Sequence, residues 1–141
     1  MSYTISAKRW FLKTALAYLG TPYTWGGDDP SGFDCSGFVI ECLKSVGLLG
    51  EADDFTADGL LKRFDERRVD KPHTGALLFY LNKQGRAVHV TICLDGHFQI
   101  GASGGGVSTA NTEAAWKDNA YVKIRPIRFD QRWMKVVNLF E

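Results

Sequence analysis

The stretch PSGFDCSGFVIECLKSVGLLG, residues 30–50, decides the interpretation of the chain, because it places a cysteine at the start of a predicted helix. Apolar residues recur there at helical spacing, which predicts an amphipathic helix over about 35–46. Asp34 is a favourable N-cap for this helix, and Gly47 is a favourable residue just beyond its end. Cys35 therefore lies in the first turn of the helix, ahead of the apolar stripe.

The composition of the whole chain is typical of a globular protein. Its 141 residues predict a single domain, residues 1–141, with one core. A net charge of +1 provides no field that would attract nucleic acid or a membrane surface. No apolar run is long enough to span a bilayer, and the N-terminus lacks a convincing signal peptide. We therefore expect a soluble product of the cytosol, without membrane insertion and without a nucleic-acid partner.

Helical periodicity precedes strand periodicity along the chain. Helices are predicted over 6–19, 35–46 and, more briefly, near 56–67, with a weaker helical piece near Trp116. Strands are predicted over 76–81, 87–94, 97–103, 121–129 and 133–140. Asp95-Gly96 is a hairpin signal between two of them. Helices followed by successive strands predict an α+β fold with an antiparallel sheet.

The three cysteines, Cys35, Cys42 and Cys93, leave several roles to consider. An odd number without regular spacing argues against a disulfide framework. No two of them have the close spacing of structural zinc ligands, so no metal site is predicted. Cys42 lies on the apolar stripe of its helix, and Cys93 lies within a strand. Both are predicted to be core residues.

Cys35 differs from the other two because of its place at a helix start. Unpaired backbone N–H groups and the helix dipole favour an anion there, so we expect a lowered thiol pKa. His89 opens a distant strand in which His89, Thr91 and Cys93 alternate with Val88, Val90, Ile92 and Leu94. A cysteine on a helix and a histidine on a strand are typical of acyl-transfer enzymes with a thiol nucleophile. From the residues alone, a buried cysteine and an ordinary strand histidine remain the alternative.

Two segments carry a resemblance to a known family. GTPYTWGGDDPSGFDCSGFV, residues 20–39, resembles the signature of the NlpC-type papain-like cysteine peptidases of bacterial cell walls. HVTICLDGHFQIGAS, residues 89–103, resembles the family's strand that begins with the catalytic histidine, and TGALLFYL, residues 74–81, resembles the strand before it. The resemblance covers about residues 10–105, whereas residues 106–141 match nothing in it.

This resemblance implies a papain-like fold, in which N-terminal helices pack on a central antiparallel β-sheet. It implies cleavage of peptidoglycan stem peptides, at the bond between γ-D-glutamate and the following diamino acid. Cys35 matches the nucleophile and His89 the general base, with no metal or organic cofactor. Tyr23, Asp34 and Ser36 match positions that line the nucleophile and shape the substrate pocket.

One position departs from the family pattern. Relatives usually carry a third polar residue, often a histidine, twelve positions beyond the catalytic histidine, and this chain has Gly101 there. Glycine has no side chain to orient the imidazole. Gln99 and Ser103 lie on the same predicted strand face and are the candidate substitutes, with a backbone carbonyl or a water as the alternative. Gln99 has the better acceptor, whereas a three-residue hairpin turn would place Ser103 opposite His89.

The sequence therefore predicts a cysteine endopeptidase that acts on cell-wall peptides. A thiol amidase or acyltransferase on the same scaffold, and a non-catalytic module that binds wall peptides or assists assembly, are the alternatives. The loss of the third residue favours the non-catalytic module, and the joint presence of Cys35 and His89 disfavours it. Because no export signal is visible, we expect the protein to reach the wall through phage lysis or dedicated export.

Overall fold

In the described part of the computed structural model, three α-helices pack against a six-stranded antiparallel sheet. The structure describes residues 5–22, 28–29, 32–103 and 121–140. Within these ranges the predicted α+β, papain-like arrangement of N-terminal helices on a central sheet is confirmed. Tyr23 and the helical piece predicted near Trp116 lie outside them.

The three helices begin and end near the predicted residues. They are α1 (Ile5–Ala17), α2 (Cys35–Ser45) and α3 (Ala57–Arg63). Asp34 caps α2 as predicted, since its Oδ1 accepts the backbone N–H of Gly37 at 2.7 Å. Thr56 caps α3 in the same way, through the N–H of Gly59 at 3.0 Å. Gly47 follows α2 with a φ of +77°, a conformation that favours glycine. None of the helices in the described ranges is both long and apolar enough to cross a membrane.

The strands form one large sheet and one small ribbon. The ribbon pairs β1 (Asp28–Asp29) with β2 (Gly32–Phe33). The large sheet contains β3 (Arg68–Val69), β4 (Leu77–Leu81), β5 (Ala87–Cys93), β6 (Phe98–Ser103), β7 (Tyr121–Pro126) and β8 (Met134–Val137), in the order β3-β8-β4-β5-β6-β7. Strands β4 to β7 follow one another as predicted. The last strand instead returns to lie between β3 and β4, a long-range pairing that sequence periodicity does not reveal.

The helices cover one face of this sheet and form the main core with it. Phe11 of α1, Phe38 of α2, Leu60 of α3 and Phe79 of β4 are fully buried there. Cys42 is also fully buried in this core, which confirms its predicted structural role. Burial of such side chains stabilises the fold by roughly 1.5–3 kcal/mol each.

Strand β5 departs from regular alternation at its beginning. Tyr80 pairs with His89 and Leu81 pairs with Ala87, so a bulge leaves Val88 without a cross-strand partner. Val88 shares the predicted alternation with Val90 and Ile92 but not their burial, since Val88 is 57% exposed and the other two are fully buried. The bulge immediately precedes His89, and bulges commonly re-aim a side chain beside a functional site.

The opposite face of the sheet carries a smaller apolar cluster next to a polar region. Leu78, Cys93, Met134 and Val136 are buried in this cluster. Cys93 is thus a core residue, as predicted. The polar region beside it contains His89 and forms the candidate site.

Candidate active site

Cys35 begins α2 and lies against the side of strand β5. The backbone amide of Val90 stabilises its thiolate, as do the amides of Ser36 and of Cys35 itself. The thiol therefore lies beside the residue that follows His89. The observed pairing of β5 with β6 involves only the last residues of β5, Ile92 and Cys93, so Val90 lies outside that ladder.

The acidity of the Cys35 thiol differs from the sequence-based expectation. Burial raises the pKa of Cys35 above its ordinary value, and the negative charge of Asp34 raises it further. Three backbone amides oppose this shift only in part. The expectation of a lowered pKa at the helix start is therefore wrong, because the loss of solvation disfavours the thiolate more than the amides favour it. Cys35 is a neutral thiol at neutral pH and needs a base to become a nucleophile.

His89 has the properties of such a base. Burial, and secondarily the positive charge of Arg125, lower the pKa of His89 to about 4. The ring is therefore neutral at neutral pH and able to accept a proton. It lies next to the ring of Tyr80, with centroids 5.3 Å apart. Within the described ranges, no residue forms a hydrogen bond with its ring nitrogens.

A pocket of about 170 Å³ opens beside the imidazole, and we refer to it as the His89 pocket. Its walls are Tyr80, His89, Thr91, Gln99, Gly101, Ser103, Lys123 and Arg125. The structure thus brings both predicted orienting residues, Gln99 and Ser103, to the same pocket as His89. A larger hollow of about 280 Å³ lies beside β3 and β8 and is lined by neither Cys35 nor His89.

The side-chain amide of Gln99 is already engaged by other groups. Its oxygen accepts hydrogen bonds from the hydroxyl of Tyr80 and, at 2.7 Å, from that of Thr91. Its nitrogen donates to the carbonyl of Pro126 at 3.0 Å. Because an amide oxygen has two lone pairs, these bonds leave no acceptor for the imidazole of His89. Gln99 instead holds two walls of the pocket in place.

Gly101 and Ser103 follow Gln99 on the same face of β6. The pairing of Cys93 with Gln99, extended along both strands, places Gly101 opposite Thr91 and Ser103 opposite His89, as the hairpin predicted. A Cβ atom at position 101 would lie 2.8 Å from Cγ2 of Thr91. That is closer than carbon atoms approach, so Thr91 occupies the space that a larger residue 101 would need.

Asp34 and Ser36 support the helix start around Cys35. The Ser36 hydroxyl donates to Oδ1 of Asp34 at 3.3 Å, and Ser36 is buried. The Asp34 carboxylate also caps α2, and its negative charge adds to the increase that burial causes in the pKa of the Cys35 thiol. Tyr23, the third residue assigned to the substrate pocket, lies outside the described residues.

Sequence reasoning missed Asp58, which anchors the start of β5. Its Oδ1 accepts the backbone N–H of Ala87 at 3.0 Å. Its Oδ2 lies 3.2 Å from the ammonium of Lys62 and 3.7 Å from the guanidinium of Arg86. The carboxylate therefore holds β5 two residues before His89. No sequence signal predicts this contact, because it joins a helix to a strand distant in the chain.

Sequence reasoning also missed Lys123 and Arg125 of β7, the last strand in the order of the described sheet. They alternate along the strand, so both reach the His89 pocket. The alternation was visible in the segment YVKIRP, but only the pairing of β7 with β6 identifies which face those cations occupy.

Comparison with known proteins relates this site to one family. The model of the NlpC/P60 family matches residues 20–125. The chain is 37% identical over 97 residues to the probable endopeptidase p60 of Listeria grayi, covering 69% of this chain and 18% of that protein. It is 35% identical over 81 residues to the gamma-D-glutamyl-L-lysine dipeptidyl-peptidase of Bacillus subtilis strain 168, covering 55% and 26%. The aligned part is thus less than a third of either relative.

Solved structures share the same fold. The P60 domain of an antigen from M. avium subspecies paratuberculosis matches with a TM-score of 0.69 and 25% identity, over 96% of both chains. The peptidoglycan hydrolase RipB of Mycobacterium tuberculosis matches with a TM-score of 0.66 and 25% identity, over 96% of this chain and 66% of that one.

Proposed function

Because the chain belongs to the NlpC/P60 family, we propose that it is a cysteine peptidase that hydrolyses peptidoglycan stem peptides. Cys35 is the nucleophile and His89 the general base in this proposal. The observation that carries it is the position of the Cys35 thiol, at the start of α2 and beside Val90, the residue after a histidine that is neutral at physiological pH.

The reaction begins from a neutral thiol and a neutral imidazole. His89 takes the thiol proton as the bond forms between Sγ and the scissile carbonyl carbon. Backbone N–H groups at the start of α2, including that of Cys35, hold the resulting oxyanion. The carbon–nitrogen bond then breaks as His89 returns the proton to the leaving amine. Water, deprotonated by His89, hydrolyses the thioester and regenerates the thiol.

The proposed scissile bond joins γ-D-glutamate to the following diamino acid. This proposal is supported by the B. subtilis relative, which is named a gamma-D-glutamyl-L-lysine dipeptidyl-peptidase. Asp34 and Ser36 shape the substrate pocket near the thiol in this proposal, and the match to the family pattern assigns Tyr23 to the same pocket. The protein meets this substrate in the cell wall.

The two candidate orienting residues have different proposed roles. Gln99 positions Tyr80 and Thr91 around the imidazole, because its amide is occupied by them. Ser103 is the better candidate for direct contact with His89. The pairing of Cys93 with Gln99, if it is continued along both strands, brings Ser103 opposite the histidine, and its hydroxyl has no hydrogen-bond partner in the described parts of the chain.

Digestion of purified peptidoglycan tests the function, with the products identified by mass spectrometry. The wild-type protein should release fragments with new γ-D-glutamyl and diamino-acid termini, and Cys35→Ala should release none. Cys35→Ala should also retain its melting temperature, because Cys35 lies ahead of the buried stripe of α2.

Cys42→Ala is the matched control for this experiment. It removes a fully buried thiol, so it should keep the cleavage specificity while it loses a fraction to a few kcal/mol of stability. Full activity in Cys35→Ala would exclude the peptidase. New termini at an amide outside the stem peptide would instead indicate an amidase, and binding without cleavage by the wild type would indicate a non-catalytic module.

A further inference from the structure

The His89 pocket is positively charged. Arg125 and Lys123 line it from β7, and none of the described lining residues is acidic. Burial, and secondarily the positive charge of Arg125, lower the pKa of His89 and also that of Lys123. No salt bridge joins Arg125 to a carboxylate in the described ranges. Among the described residues, the lining of the pocket thus contains two cationic side chains and no carboxylate.

The pocket also has hydrogen-bonding groups without protein partners. Neither the ring nitrogens of His89 nor the hydroxyl of Ser103 is hydrogen-bonded within the described residues. Gln99 is fully engaged by its neighbours, and Thr91 fills the space in front of Gly101. The described side chains around the imidazole thus leave its second nitrogen without an acceptor.

The size of the pocket suits a small ligand. Its volume of about 170 Å³ is several times the ~30 Å³ that one water molecule takes up in the liquid. A carboxylate or an inorganic oxyanion fits this volume and presents oxygen acceptors to an N–H group and to cations.

We propose that the His89 pocket binds a small anion, a carboxylate or an inorganic oxyanion, held by Arg125 and Lys123, and that this anion accepts the imidazole N–H. The bound anion thus orients the imidazole, which Gly101 cannot do because it has no side chain. This role in catalysis rests on the proposed function, whereas the binding of the anion does not. When His89 takes the thiol proton, the anion faces the new imidazolium and stabilises it by charge attraction.

Two sources could supply the anion. One is a free anion from solution. The other is the substrate, because a γ-linked glutamate retains a free α-carboxylate at the opposite end of its side chain from the scissile carbonyl. Both have the same oxygen acceptors, so experiments rather than chemistry separate them.

Anion binding is tested by NMR titration of the His89 imidazole in the full chain, with its signal assigned through His89→Gln. Sodium formate, acetate and phosphate are added in turn and compared with sodium chloride at equal ionic strength. We expect each anion to raise the pKa of His89 from about 4, saturably and by about one unit or more, because an opposite charge favours the protonated ring.

Two arginine variants locate the site. Arg125→Gln should raise the starting pKa of His89, because it removes a repelling charge, and should abolish the saturable response. Arg128→Gln is the matched control, since Arg128 is exposed and does not line the His89 pocket. A response that persists in Arg125→Gln, or that is absent from the wild type and no larger than the chloride effect, would overturn the proposal.

The source of the anion is identified with Cys35→Ala protein and wall-peptide fragments that carry either a free or an amidated glutamate α-carboxylate. If the substrate supplies the anion, only the free carboxylate raises the pKa of His89, and formate adds nothing further. If solution supplies the anion, formate raises the pKa of His89 by the same amount in the presence of either fragment.

Whichever source supplies the anion, the cleavage rate should depend on Arg125, and Arg125→Gln should have a shifted pH profile. Because the NMR readout needs no cleavage, absence of peptidase activity would count against the function and not against the anion site.

Discussion

At the scale of single residues, the surroundings of Gly101 oppose its replacement by the larger residue that the family usually has at this position. Its backbone faces the side chain of Thr91, whose hydroxyl is held by Gln99 at 2.7 Å. A larger residue at 101 must displace the Thr91 methyl group, and rotating that side chain would break its hydrogen bond. A histidine at 101 would therefore meet Thr91 before it reached His89.

Gly101→Ala should lose about 1–3 kcal/mol of unfolding free energy, the usual cost of overpacking a tight site. Denaturant unfolding measures this cost. Thr91→Ser removes the methyl group that would lie 2.8 Å from the new Cβ atom and keeps the hydroxyl for Gln99. The cost of Gly101→Ala should fall by at least half in that background, a coupling that a double-mutant cycle quantifies.

Gly96→Ala is the control for this prediction, because an added Cβ there meets nothing within 4 Å. Its effect should be small and independent of residue 91. Equal costs of Gly101→Ala with threonine and with serine at position 91 would show that Thr91 does not fill this space.

At the scale of secondary-structure elements, the beginning of β5 positions His89, the proposed base. The bulge at Val88 and the bond from Ala87 to Asp58 together determine how the strand presents His89. The carboxylate of Asp58 is stabilised first by that backbone N–H and then by Lys62, which lower its pKa. Asp58 is a positioning residue in this description, since it acts on His89 only through the strand.

Asp58→Ala should lose about 1–3 kcal/mol of stability, because the N–H of Ala87 is left without an acceptor. Asp58→Asn keeps an acceptor and should lose less. At temperatures well below the melting temperature, Asp58→Ala should cleave more slowly than the wild type and should have a shifted pH profile. Asp58→Asn should retain most of the wild-type cleavage rate.

Asp65→Asn provides the matched control for Asp58, because Asp65 forms an exposed salt bridge, to Arg68 at 2.9 Å. Such pairs contribute about 0–1 kcal/mol, so this variant should leave both stability and the pH profile nearly unchanged. An unchanged pH profile in Asp58→Ala would restrict Asp58 to a purely structural role.

At the scale of the whole molecule, the buried neutral histidine makes the stability of the fold depend on pH. The pKa of His89 is about 4 in the folded protein and near its ordinary 6.5 in the unfolded chain. The unfolded chain therefore takes up the proton first as the pH falls. This contribution to stability is complete above pH 6.5 and is lost as the pH falls toward 4.

The wild-type protein should accordingly lose about 3 kcal/mol of unfolding free energy between neutral pH and pH 4 through this residue. His89→Gln should lack this component, whereas His97→Gln should retain it, because His97 is exposed. Denaturant unfolding at a series of pH values, in buffers free of carboxylate and phosphate, measures the difference. Parallel curves for the wild type and His89→Gln would contradict the buried, neutral state of the imidazole.

Much of the fold follows from local patterns. The caps Asp34 and Thr56, the turn at Gly47 and the hairpin that brings Ser103 opposite His89 each depend on a few neighbouring residues. The insertion of β8 between β3 and β4 was not predictable in this way. It depends on which strand edge the C-terminal apolar segment reaches, and that edge is formed by residues far away in the chain.

The sequence by itself determined the place of Cys35 in the first turn of a capped helix, the face of β5 on which His89 lies, and the missing side chain at Gly101. These features depend on helix caps, strand alternation and turn length, which are local. Only the tertiary structure decided that burial raises the pKa of the Cys35 thiol and that Arg125 borders the imidazole. Solvation and charge at a site are set by every element packed around it, and here those elements come from opposite ends of the chain.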